Sequence, residues 1–167
     1  MPNPKITITA TSFVANASSN HSGLYCTIST PPTITDPSNQ IGLVPGSDDT
    51  IWVKPSNQTG GPGGRPIPVN IDINIVSSPP SSGPNFSLVP TDIQFSQRHG
   101  NGDQNGNANF NHSTPSGTTI TVTNRWLHHG RRDQGNAPKW KFYIAVRDTV
   151  SGNMGWVDPG FENSEDN

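Results

Sequence analysis

Cysteine is almost missing from this chain. Cys26 stands alone, so no disulfide can form within it and nothing calls for an oxidising compartment. Charge is scarce as well, at 13% of residues with a formal net charge of −2. That balance excludes a surface built generally to seek nucleic acid or membrane. Apolar residues make up only 29%, and no run approaches the roughly 18 residues of a spanning helix. No segment sustains apolar positions at i, i+3, i+4 and i+7 between caps, which excludes a long helix. No fixed-period repeat is present. The opening MPNPKITITATSFV has no basic stretch leading into an apolar one, so the expected location is cytoplasmic. Five Asn-x-Ser/Thr triplets (Asn16, Asn20, Asn57, Asn85 and Asn111) then read as a by-product of composition.

What is present is alternation broken by turn residues. With 17 Gly and 17 Pro in 167 residues, the chain reads as one domain over 1–167, with large polar loops and a short acidic tail over 158–167. The clearest strand runs Ile67-Pro-Val69-Asn-Ile71-Asp-Ile73-Asn-Ile75, β-branched on one face and polar on the other. Pro68 donates no amide, so pairing starts after it or at an edge. Lys139–Arg147 alternates with Trp140, Phe142, Ile144 and Val146 inward, and Thr118–Arg125 with Ile120 and Val122 inward. Weaker strands are expected at Lys5–Ala10, Gly23–Ser29, Ile41–Val44, Thr50–Lys54, Phe86–Val89, Ile93–Phe95 and Met154–Val157. Between them lie clusters such as PSNQTGGPGGRP and HGNGDQNGNANFNHSTPSG, whose chemistry is that of turns. The expectation is an all-β fold: an antiparallel β-sandwich, Ig-like or jelly-roll-like, with long Gly/Pro/Asn-rich loops and little or no helix.

Candidate sites are few. His128-His129-Gly130-Arg131-Arg132 offers neighbouring histidines, whose side chains diverge in extended chain, beside two cations that repel a metal. It reads as a loop, and no metal is expected. Six of the ten basic residues fall between Arg125 and Arg147 against the single acid Asp133, while Asp158, Glu162, Glu165 and Asp166 balance them near the C-terminus. The loop from Asn101 to Asn111 spaces oxygen donors like the first half of a calcium loop. It lacks the closing glutamate, His112 standing twelfth. Cys26 alternates with apolar neighbours and reads as a small buried hydrophobe. Asp48-Asp49 precedes a strand in a turn and reads as a cap. No nucleophile elbow, metalloprotease helix or phosphate loop occurs, so no enzyme and no cofactor are expected.

Two stretches carry a family likeness. DDTIWV (48–53) resembles the entry to a central strand, and WKFYIAVRDTVSGNMGWVDPGFENS (140–164) an aromatic penultimate strand, a turn and a strand closing in Asp-Pro. Together they are similar to the bacterial inclusion-body protein family (AidA/PixA-like), departing from it where Val157 separates Trp156 from Asp-Pro. The resemblance implies a β-sandwich without established enzymatic activity. Ig-like or cupredoxin-like domains without copper fit the architecture more loosely.

The leading expectation is a non-catalytic sandwich acting by self-association or by binding another protein. Arg131, Arg132, Lys139 and Lys141 would meet Glu162, Glu165 and Asp166 of a neighbouring copy. The alternative is a carbohydrate-binding module that presents Trp52, Trp126 and Trp156 as exposed platforms, with Asn105 and Asn107 supplying amide hydrogen bonds. Nucleic acid and membrane are not expected as partners.

Overall fold

The computed structural model describes residues 2–15, 24–55, 67–77, 88–99, 109–127, 129–131, 133–150, 152–157 and 160–164. Eleven strands follow in chain order: β1 (Lys5–Ala15), β2 (Leu24–Thr35), β3 (Ile41–Leu43), β4 (Thr50–Val53), β5 (Val69–Ser77), β6 (Leu88–His99), β7 (Phe110–His112), β8 (Thr119–Asn124), β9 (Lys139–Asp148), β10 (Met154–Val157) and β11 (Gly160–Asn163). Among the described residues no helix is long and apolar enough to cross a membrane.

Alternation drives the strongest elements. In β5, Val69, Ile71, Ile73 and Ile75 are all buried to within 1% while Asn70, Asp72 and Asn74 face out. Ile67 is the exception to the expected face: at 46% exposure it lies ahead of the first paired residue, Val69, with Pro68 between. The polar face is cross-stitched: Thr123, Thr121 and Thr119 donate to Asn70, Asp72 and Asn74 at 2.8, 2.7 and 3.2 Å. Such cross-strand pairs contribute roughly 0.2–1 kcal/mol each.

Hydrogen bonds link the strands in the order β3-β4-β11-β9-β10-β2-β1-β5-β8-β7, with β6 added on β9. The array is folded into two mixed layers that do not close as a barrel, an all-β sandwich-like fold. Strand β9 is the fork. Lys139 to Lys141 pair with β11, Ile144 to Arg147 pair with β10, and β6 takes the whole opposite edge. Through β10 the pairing passes to β2 and so to the second layer.

Pairing is mixed where uniform antiparallel pairing is expected: β1–β5, β2–β10 and β4–β11 are parallel. Alternation reports which face is buried, not the direction of the neighbour. Strand β2 also runs through Pro31-Pro32, absorbed by a register shift against Thr7 and Thr9, and β6 joins two expected short strands through a shift at Pro90/Asp92.

The core between the layers is aromatic at one end. Phe110 of β7 stacks on Phe95 of β6 at 4.5 Å, meets Trp140 of β9 edge-on at 5.1 Å and faces Phe161 of β11 at 5.6 Å. Phe161 in turn stacks on Phe142 at 4.5 Å. Each such ring contributes about 1.5–3 kcal/mol by burial.

Candidate functional site at the open seam

The layers meet along two margins. At one, β10 carries backbone hydrogen bonds across. At the other, β6 and β7 face each other, and among the described residues each has a ladder on one side only. Between them opens a cleft of about 500 Å³, floored by Ile93 and the Phe95–Phe110 stack and rimmed by Asp92, Gln94, Asn111, His112 and Arg125. Its lining is mostly polar, with five polar side chains over a nearly buried apolar floor, and its size suits a small ligand.

Both edges are capped by their own side chains. The Ile93 amide donates to Asp92 Oδ1 at 2.8 Å, and the His112 amide to Asn111 Oδ1 at 2.9 Å. An outward amide satisfied this way offers less to an incoming strand. Across the seam His112 Nε2 lies 3.9 Å from Asp92 Oδ1, and Nδ1 lies 3.1 Å from the Ser113 carbonyl. The carbonyl only accepts, which favours the tautomer with its proton on Nδ1. Both ring nitrogens thus face acceptors. Among the described residues neither is hydrogen-bonded to a hydroxyl or thiol.

Three buried asparagines hold the walls in place. Asn124, ending β8, accepts at Oδ1 from Asn109 Nδ2 (2.9 Å), Asn163 Nδ2 (3.3 Å) and the Trp126 amide (3.0 Å). Its own Nδ2 donates to Asn163 Oδ1 at 2.6 Å. Asn109 accepts from the Leu127 amide at Oδ1 (2.8 Å) and from the Arg125 amide at its carbonyl (2.8 Å). All three are fully buried. Amides suit this task because each brings donor and acceptor without charge. The hub ties β8 to the start of β7, to β11 in the other layer and to the segment that carries Arg125.

The expected interaction residues are placed differently from the intermolecular scheme. Arg131 forks onto Asp133 of its own chain, at 3.0 and 2.6 Å. Lys139 Nζ lies 3.0 Å from Glu162 Oε2, an ion pair off the line of a hydrogen bond, and Glu162 is fully buried. These two pairs therefore correct the expectation that the charges wait for a neighbouring copy. Lys141 is half-buried on β9. Arg132, Glu165 and Asp166 lie outside the described residues, as do Asn105, Asn107 and His128.

Of the three tryptophans, Trp126 is corrected. Trp126 is 2% exposed, so it is no platform; its φ is 54°, and its ring meets His129 edge-on at 4.4 Å. A bulky residue in that left-handed region is costly and persists because Asn124 pins its amide. Trp52 is half-buried and lies over Gly42, where an added Cβ would stand 2.6 Å from its ring. Trp156 is half-buried on β10. Among the described residues no group of three His, Cys, Asp or Glu could hold a metal ion.

The stretches that carry the family likeness become neighbours, since β11 lies between β4 and β9. No protein-family model, curated protein or solved structure matches the chain.

Proposed function

We propose that the protein is a binding module that takes a hydroxyl-rich ligand, a carbohydrate, in the seam cleft. The observation that carries this reading is the convergence of Asp92, Gln94, Asn111, His112 and Arg125 over the Phe95–Phe110 floor. Planar carboxylate, amide and guanidinium groups bind hydroxyls in pairs. The site replaces the tryptophan platform as the sugar-binding surface. The likeness of β4 and of β9 to β11 to the inclusion-body protein family supports a role without catalysis. A cytoplasmic setting is consistent with a single cysteine.

The test is a glycan array probed with the wild type and with Gln94→Ala/Asn111→Ala. Both side chains are exposed, so the fold should survive. Retention of a glycan by the wild type and its loss in the variant supports the cleft. Retention unchanged by the variant moves the site elsewhere.

Self-association is the second reading, favoured by β6, whose twelve residues carry a ladder on one side only among the described residues. Light scattering on eluting protein at low and high salt decides it. A monomer under both conditions ends it, and a dimer unaffected by salt places strand edges rather than charges in the contact.

A further inference from the structure

We infer that the cleft's ligand is acidic: an oligosaccharide whose carboxylate sits on Arg125 and whose hydroxyls reach the Asp92–His112 end. The inference rests on the cleft being a sugar site and goes further, to the class of sugar.

Arg125 differs from the other cations whose partners are known. Arg131 is forked onto Asp133 and Lys139 is paired with Glu162. The Arg125 side chain is exposed at the rim and makes no hydrogen bond or ion pair with a described residue, although its amide is fixed on Asn109. Among the described residues, then, the chain anchors the base of this arginine and gives its head no partner. A guanidinium offers two parallel N–H donors matched to a carboxylate, a fork that lysine lacks.

Register gives the cleft a direction. Phe110 is opposite Asn124 and His112 opposite Val122, so Arg125 stands at the Asn109 end of β7 and the His112–Asp92 pair at the other. Three residues of strand separate those ends, about 10 Å at the usual rise. That length exceeds one sugar ring and suits a short oligosaccharide. Polarity follows from charge: the Asp92 carboxylate repels an acid group and accepts from hydroxyls, so the acid end of the ligand is driven to Arg125. Gln94 and Asn111 supply neutral amides on the rim.

The experiment is calorimetric titration of the full chain with trimers of galacturonate, glucuronate and mannuronate, each beside its carboxyl-reduced neutral counterpart. Wild type, Arg125→Gln and Arg125→Lys are compared. One acidic trimer should bind about tenfold tighter than its neutral form, the scale of one charge-assisted hydrogen-bond pair. Arg125→Gln should erase that preference by weakening the acidic trimer about tenfold more than the neutral one, and Arg125→Lys should restore only part of it. Equal affinity for acidic and neutral forms, or a preference that survives Arg125→Gln, overturns the acidic assignment and leaves the cleft as a neutral sugar site. No binding of any trimer, together with a blank array of neutral glycans, overturns both.

Discussion

The two margins of this sandwich solve one problem in different ways. At the β10–β2 margin the layers are joined through main-chain pairing, Gly155 opposite Leu24 and Trp156 opposite Tyr25. At the β6–β7 margin main-chain pairing is missing among the described residues. Side chains do the joining: the Phe95–Phe110 stack inside and the His112–Asp92 pair outside. Backbone closure is nearly independent of side-chain identity and leaves no room for a guest. Side-chain closure leaves a cleft, and it can be altered one residue at a time.

That contrast is best broken from the inside out. Phe110→Ala removes the ring shared by Phe95, Trp140 and Phe161, and should cost about 3–5 kcal/mol in denaturant unfolding. Gly155→Pro attacks the closed margin by deleting an amide in a strand paired on both sides, with an expected loss of about 3 kcal/mol or more. A smaller effect at Gly155 than at Asp92 would refute the division drawn between the margins. Asn124→Ala should cost about 2–3 kcal/mol, since Asn109, Asn163 and the Trp126 amide each lose a buried partner. Amide exchange should accelerate first at Trp126 and Leu127 in that variant. Asp92→Asn should change stability by less than about 1 kcal/mol, because the pair with His112 is solvent-exposed, while weakening any ligand bound in the cleft. A large destabilisation there would make the clasp structural.

Much of the fold was legible because period two is a local property. β5, β8 and β9 announce themselves through isoleucines, valines and aromatics at alternate positions. β11 does not, since every residue from Gly160 to Ser164 is buried whatever its polarity. Glu162 and Asn163 look like surface residues until Lys139 and Asn124 are brought to them. β7 is only three residues long and lies beside an Asn-rich stretch, below the length at which alternation means anything. The site was harder still. His112 and Arg125 are visible as residues, but Gln94 lies inside the weak strand expected at Ile93–Phe95 and Asp92 just ahead of it, with nothing to mark either. What joins them is the meeting of β6 with β7, fixed by the long-range ladders β6–β9 and β7–β8 and by the asparagine hub. No spacing in the chain encodes that meeting.

The place of β11 carries a consequence for how the protein is made. It is the last of the eleven strands to leave a ribosome, yet it slots between β4 and β9. Until it arrives, β4 and the first residues of β9 hold open edges, and Asn124 lacks its partner from the other layer. From the synthesis of β4 to that of β11 the nascent chain therefore carries a gap in one layer, a template for pairing with other nascent chains. Translation that stops short of residue 160 would release a polypeptide in which, among the described strands, β3 and β4 have only each other to pair with.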